Sequence, residues 1–396
     1  MLPDVDEIAR RISLDFPKTE EEVKAEILQI KPDFDLRLLP YYEQSGALEC
    51  MMVGGAKRYF RRAARNLFRV DKDMKLYYDK RYGDDKEPRY RFLSAYLPEF
   101  IKNPQPKIFD FEFSLNLATR SISPQEITRI WLPRPMECKY QEVLEVNNTG
   151  VESGDSLHSS LYFESRGLGK ASVRYTFLSK GFAGGIEKSC GEGYDEKDLI
   201  EQLPHIAFSP EICRLAQQIK GGETNPMEIA RRIFMWISEN ISWAVAREYS
   251  TIDDISAYVL QNRHGDCGQK TLLFMSLCRR CGIPCRWLSG FMLYPGQDNL
   301  HDWCEVFDIS SGLWLPVDVS FGLQKWATCE ALRWFYFGSI DPYRLVVNRG
   351  ISAEFYPKKI FPRSETIDFQ RGEVETESRN LYFDEFSYSY SAAEVG

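Results

Sequence analysis

Between Gly265 and Arg286 the chain turns sharply, enters a long run without breakers and stops on a glycine, and this stretch limits what it can fold into. Gly265-Asp266 is a turn signal. From Cys267 to Cys281 there is no proline and no glycine beyond Gly268, and the run is rich in Leu, Phe, Met and Lys/Arg. It ends at Gly282 with Pro284 beyond, the usual punctuation of a helix C-terminus. The segment therefore predicts a buried helix with Cys267 in its first turn. Unpaired backbone N–H groups and the helix dipole favour a thiolate there, and the same N–H groups can hold an oxyanion. Position alone leaves the common alternative, a small buried structural thiol.

A histidine and an aspartate follow in the order a thiol triad needs. The chain has four histidines, His158, His205, His264 and His301. The segment from His301 to Phe307 alternates like a strand and places His301, Trp303, Glu305 and Phe307 on one face. A histidine at a strand mouth can take a proton from a thiol on a neighbouring helix. His264 is closer in sequence to Cys267 but belongs to a turn, where it is poorly held against the thiol. Asp318 sits among Leu313, Trp314, Leu315, Val317 and Val319, and a carboxylate in so apolar a strand must be paired or hydrogen-bonded. It reads as the acceptor that fixes the imidazole, or as a cap on the turn Ser320-Phe321-Gly322. Asp308, beside Ser310-Ser311-Gly312, reads as a turn residue.

These motifs, Gly265-Asp266-Cys267, Gly282-Ile283-Pro284-Cys285-Arg286, His301-Asp302-Trp303-Cys304-Glu305-Val306 and Trp314-Leu315-Pro316-Val317-Asp318, stand in one order. Together they resemble the core of the transglutaminase-like superfamily of papain-related thiol enzymes, most strongly over residues 210–325. More loosely, from about residue 107 onward, the chain resembles bacterial members that add a β-rich segment before the core. The resemblance implies Cys267 as nucleophile, His301 as base and Asp318 as orienter. It also offers Trp243, upstream of the nucleophile, as an oxyanion-hole candidate, against the alternative of a core aromatic.

The flanking sequence predicts three regions in an α+β chain. Residues 1–105 read as mostly helical, with a capping box at Thr19-Glu20-Glu21-Glu22 and a second helix over 56–69. That second helix carries Arg58, Arg61, Arg62, Arg65 and Arg69 along one side, either a solvated face or a surface for an anionic partner. Asn103-Pro104-Gln105-Pro106 is a linker, after which Phe109, Phe111, Phe113, Leu115 and Leu117 alternate with polar residues as a half-buried strand. Further strands are expected at 128–133, 140–146, 158–164 and 171–178, giving a β-sandwich-like region over 106–192. Residues 193–396 are read as the papain/transglutaminase-like core, a nucleophile helix packed on an antiparallel sheet, with C-terminal strands and a tail whose last dozen residues fray. Its helices include one at 210–220 and one capped by Asn225 with Pro226 first.

Composition narrows the function classes. A hydrophobic content of 43% and an aromatic content of 14% exclude global disorder, and a net charge of −8 argues against general nucleic-acid binding. No apolar stretch reaches the length of a membrane span. The first residues show no apolar signal region, so a cytoplasmic protein is expected, or a periplasmic or secreted one if a signal peptide has been removed. Ten cysteines are expected to be reduced thiols. Cys278, Cys281 and Cys285 have no fourth ligand nearby, so neither metal nor cofactor is expected. The expected chemistry is thiol-dependent acyl transfer at an amide through a thioester. Peptide or protein substrates with water as second nucleophile are favoured, over an amine that would make a cross-linker. The rival of another class is a catalytically silent protein- or glycan-binding module.

Overall fold

The computed structural model describes residues 3–84, 86–118, 123–147, 150–154, 159–184 and 192–395. His158 and the glycine-rich stretch expected to end the sandwich lie wholly or largely outside them.

The N-terminal region comprises α1 (Val5–Asp15), α2 (Glu20–Ile30), α3 (Leu39–Gln44), the hairpin β1 (Cys50–Val53) and β2 (Ala56–Tyr59), then α4 (Ala63–Val70), α5 (Lys72–Tyr82) and α6 (Glu87–Lys102). The predicted capping box is present at the start of α2. The helix expected over 56–69 is shorter than its charge pattern suggests. Gly54 and Gly55 both adopt positive φ, the conformation a two-residue hairpin turn demands, so 56–59 pairs back on 50–53 instead. Arg58 and Arg61 are thereby removed from the arginine stripe, and Arg62 stands at the cap of α4. Phe16, Ile27, Tyr59, Phe60, Leu67 and Phe68 belong to a core of their own, whereas Leu93, Leu97 and Phe100 of α6 join the main core.

Two antiparallel sheets follow, built from β3 (Lys107–Leu117), β4 (Ile127–Pro133), β5 (Gln141–Asn147), β6 (Val151–Gly154), β7 (Ser159–Arg166) and β8 (Lys170–Ser179). The alternation of Phe109, Phe111, Phe113 and Leu115 is that of a strand with one face in the core, and all four are buried.

The third region holds α7 (Pro210–Lys220), α8 (Pro226–Asn240), β9 (Ser242–Trp243), α9 (Ile255–Asn262), β10 (His264–Gly265), α10 (Cys267–Arg280), β11 (Cys285–Met292), β12 (Asn299–Asp308), β13 (Leu313–Val317), α11 (Glu330–Arg333) and β14 (Arg344–Asn348). Asn225 caps α8 by accepting from the Met227 and Glu228 N–H groups. Helix α10 is buried nearly all round, Gln269, Lys270, Thr271 and Ser276 included, so it is stable only when surrounded. It packs against α7, α8 and α9 on one side and β11 and β12 on the other. The sheet runs β13-β12-β11-β14, all antiparallel. At Gly290 a Cβ would stand 1.8 Å from the Leu345 carbonyl oxygen, so only glycine lets β14 close onto β11.

The C-terminal tail departs from expectation. Residues 193–396 were expected to form one unit with the core, and the last dozen residues to fray. Instead β15 (Glu373–Thr376) pairs with β4, β16 (Asn380–Leu381) pairs with β15, and β17 (Phe386–Glu394) lies along β3. The two sandwich sheets therefore run β16-β15-β4-β7-β6 and β17-β3-β8-β5. The tail strands complete the sandwich because β3 and β4 each offer an edge that must be covered, β17 covering Phe109 to Leu117 and β15 covering Thr128 to Trp131.

Candidate active site

Asp266 makes the turn into α10. Its carboxyl accepts the Gln269 N–H at 2.9 Å and the Tyr249 hydroxyl, and this cap sets Cys267 at the first helical position. Gly268 is required beside it. A Cβ there would lie 2.3 Å from the Tyr249 oxygen and 2.7 Å from Asp302 Oδ2, so any side chain would displace two groups that surround the thiol.

On β12, Asp302 turns towards α10 and meets Cys267, while His301, one position before it, lines the same cavity as the thiol. The His301 Nε2 lies 2.7 Å from Asp318 Oδ2, which assigns the proton to Nε2 and leaves Nδ1 as a lone-pair acceptor. The ring is held between Trp303, with centroids 5.8 Å apart, and Phe321, at 5.2 Å. Asp318 fills both roles expected of it. It orients His301, and its Oδ1 accepts the Ser320 and Phe321 N–H groups, each at 3.1 Å. Arg344 Nη2 lies 3.1 Å from its Oδ2. Burial pushes the Asp318 carboxyl up, but His301, Arg344 and the backbone donors outweigh it and hold it below its ordinary value. Burial also dominates at His301 and lowers its pKa despite Asp318, so the imidazole rests neutral.

The thiol departs from expectation. The Cys267 Sγ donates to Asp302 Oδ2 at 3.4 Å. Burial, then the carboxyls of Asp302 and Asp266, push the thiol well above its ordinary value. The helix start was expected to favour a thiolate, but two neighbouring carboxyls and the loss of solvent overcome the dipole. Asp302 is itself raised well above the carboxylate range, by burial first and Asp266 second, and Asp266 is pushed up to about 6 by burial. Gln370 Nε2 reaches Asp302 Oδ1 at 2.8 Å and the His301 carbonyl at 2.9 Å, tying the tail to this strand.

Cys267, His301, Asp302 and Trp243 line one cavity of about 1570 Å³, with Asp318 behind His301. Trp243 is half-buried on β9, which pairs with β10 next to the nucleophile turn. Its ring lies under the Arg69 guanidinium at 5.0 Å and the Lys86 ammonium at 5.7 Å. His264 points elsewhere, with Nε2 3.0 Å from the Gly46 carbonyl. Glu305, on the His301 face, is a structural anchor. It takes Arg286, Tyr140 and, at 2.9 Å, Lys139, and these partners hold it at about 2.

Asp302, Arg344, Gln370 and Tyr249 were not singled out in the sequence. Asp302 carried a signal, since it shares with Cys304 and Val306 the strand face that meets an apolar helix. Arg344 likewise opens an otherwise apolar strand. Gln370 and Tyr249 lie in irregular segments where no periodicity marks them.

Residues 214–319 match the family model described as the transglutaminase-like superfamily. An uncharacterized protein of Haemophilus influenzae is 22% identical over 344 residues, covering 73% of this chain and 92% of that one. Among solved structures, a "putative cysteine protease" from Cytophaga hutchinsonii is similar with a TM-score of 0.48 and 13% identity, over 74% of this chain and 92% of that chain. The periplasmic domain of TgpA from Pseudomonas aeruginosa is similar with a TM-score of 0.32 and 16% identity, over 57% of this chain and 91% of that chain.

Proposed function

From the premise that residues 214–319 form a core of the transglutaminase-like superfamily, we propose that the protein catalyses thiol-dependent acyl transfer at an amide of a peptide or protein, with water as the final acceptor. The observation that carries this reading is the convergence of Cys267 and the Asp318-bound His301 on one cavity.

The chemistry follows from the protonation states. In the resting site the thiol is neutral and rests on Asp302. A bound amide brings Cys267 to exchange that contact for His301 Nδ1, which takes the proton as sulphur bonds to the carbonyl carbon. Asp318, ionised and paired with Arg344, stabilises the imidazolium that forms. The carbonyl oxygen becomes an oxyanion facing the Cys267 N–H at the helix start. The C–N bond then breaks, the amine leaves with the proton from His301, and a thioester remains. Water, deprotonated by the same imidazole, attacks the thioester and frees the acid. The strict need is for a base poised neutral near pH 7, which burial provides.

The test is to trap the thioester. The protein is mixed with a 4-nitrophenyl ester of an N-acetylated amino acid, quenched in acid and mapped by mass spectrometry. The acyl mass on Cys267, absent from His301→Ala, is the expected result. Acylation spread over other cysteines, or unchanged by His301→Ala, overturns the reading. Adding methylamine then separates the acceptors, because a methylamide product would replace hydrolysis with cross-linking.

A further inference from the structure

The cavity before Cys267 has a wall that this chemistry does not use, and it is built largely by the N-terminal helices. Lys86, at the start of α6, and Arg89, in its first turn, line it together with Arg65 and Arg69 of α4 and Lys270 of α10. Lys270 lies one helical turn from Cys267 and is only 5% exposed. The Arg89 guanidinium lies 4.3 Å from the Phe321 ring centroid, and that ring contacts His301. The Arg89 Nε is buried without a partner, and its Nη1 reaches the Met292 sulphur at 3.7 Å. Among the described residues, no carboxylate stands within ion-pairing distance of Lys86, Arg89 or Lys270.

Buried cations elsewhere in this fold face carboxylates or backbone carbonyls, even where some nitrogens, as at Arg344, stay unpartnered. Arg344 has Asp318 and Asp341, Lys359 has Glu373 and Glu375, and Arg371 has Glu248 and Glu365. Arg279 gives its N–H groups to the carbonyls of Cys285 and Ile200. Lys270 is buried and Lys86 and Arg89 are half-buried beside it, and holding unpaired cations away from water is costly, so their convergence on one cavity marks a place where the counter-charge arrives with a ligand. Burial, then the charges of Lys270 and Arg89, lower Lys86 to about 7, and burial lowers Lys270 to about 8 against the pull of Asp318, which is itself committed to His301 and Arg344. The carboxyls at the thiol end do not supply the missing charge. Burial raises Asp302 and Asp368 well above the carboxylate range, and at the rim Asp79 and Asp84 face Lys75.

We propose that the acyl donor carries a carboxylate close to its reacting carbonyl, and that Lys86, Arg89 and Lys270 receive this carboxylate while the carbonyl meets Cys267. An acidic peptide fits that description. The inference rests on the acyl-transfer reading and gives the N-terminal helices a purpose, as the specificity wall of the site.

The experiment uses two alkylating agents that differ in charge. Iodoacetate places a carboxylate beside its electrophilic carbon, and iodoacetamide places a neutral amide there. Both are reacted with the full chain at pH 6.5, where Lys86 and Lys270 still hold their protons, and labelling is read by mass spectrometry at Cys267 and at the exposed Cys329. The iodoacetate-to-iodoacetamide rate ratio at Cys267 is expected to exceed that at Cys329 by about tenfold, the scale on which a charged cleft concentrates an opposite charge. In the Lys86→Gln/Arg89→Gln double variant the excess falls to under about twofold, and Lys86→Arg restores it in the single-site series. Because the ratio is read, a general loss of thiol reactivity does not imitate the effect. Raising the ionic strength of the unmodified protein must likewise collapse the excess, which tests the idea without any variant. Equal ratios at the two cysteines, or an excess that survives both salt and substitution, overturn the proposal. If thioester trapping succeeds while the ratios are equal, the carboxylate inference alone fails. If the excess holds while no thioester forms, acyl transfer fails and with it the donor, leaving an anion-binding cleft.

Discussion

Asp302 and Asp318 flank the same site, both are sealed from solvent, and their surroundings drive them to opposite protonation states. Asp318 faces Arg344, a histidine and two backbone N–H groups, so its charge is the most favourable state available. Asp302 faces a thiol, a glutamine and a second carboxyl, so a proton is its cheapest company. Equal burial thus yields an anion on the imidazole side and a neutral acid on the thiol side. The lesson is that depth does not decide charge; the neighbours do. Under the proposed mechanism, it also means that His301 waits as a neutral base and Cys267 as a protonated thiol until a substrate arrives.

The contrast can be broken first at the imidazole side. Asp318→Asn keeps the shape but removes the charge that steadies His301, and turnover should fall by about 10⁴-fold. Steady-state rates across pH check this, and a loss below tenfold would detach Asp318 from the chemistry. Asp318→Ala should also destabilise the fold by about 3–5 kcal/mol, because Arg344 is left facing Asp341 alone in a buried place. Chemical denaturation at pH 7 measures this. The sign with pH is fixed by its lowered value. The contribution of Asp318 is present above the unfolded carboxyl range and is lost as acid takes it below its folded pKa.

At the thiol side the sign reverses. Asp266 is raised from 3.8 to about 6, so its protonated form stabilises the fold below pH 4, and that stability is lost as pH rises through about 6. Asp266→Asn retains an oxygen for the Gln269 N–H and should gain roughly 3 kcal/mol relative to the parent at pH 7, with no gain at pH 3.5. Melting curves at the two pH values decide it, and a constant difference would remove the carboxyl from the account. The smallest effect is expected at Asp302→Asn. Removing that carboxyl should lower the pH of half-maximal Cys267 alkylation by about one unit, since a neighbouring acid no longer opposes the thiolate. An unmoved profile would mean that desolvation alone holds the thiol neutral.

The parts of this site that could be read from the sequence are those written in periodicity and punctuation. The turn at Gly265-Asp266, the helix to Arg280 and the strand carrying His301 each follow from local rules, and all three stand where those rules put them. The state of the thiol could not be read that way. It depends on Asp302 crossing to the far face of its own strand and on Gln370 arriving from a loop, neither of which a helix-dipole argument contains. The same limit applies to the tail. Residues 386–394 alternate as a strand, but nothing in them says that the partner is β3 rather than the core sheet. Likewise the arginines of 56–69 announce charge, while the hairpin at Gly54-Gly55 decides which of them reach the cavity.

The pairing of β17 with β3 also has a consequence in time. Residues 109–117 leave the ribosome well before the strand that lies along them, which is made only after residues 118–385. Throughout that interval one edge of the phenylalanine-rich β3 stands open while the core helices and the core sheet are synthesised between the two halves of its own sheet. Such distant pairing is slow and exposes the nascent chain to self-association. That interval is when the nascent chain is most open to self-association, and a chain cut before Phe386 would leave this edge of β3 uncovered.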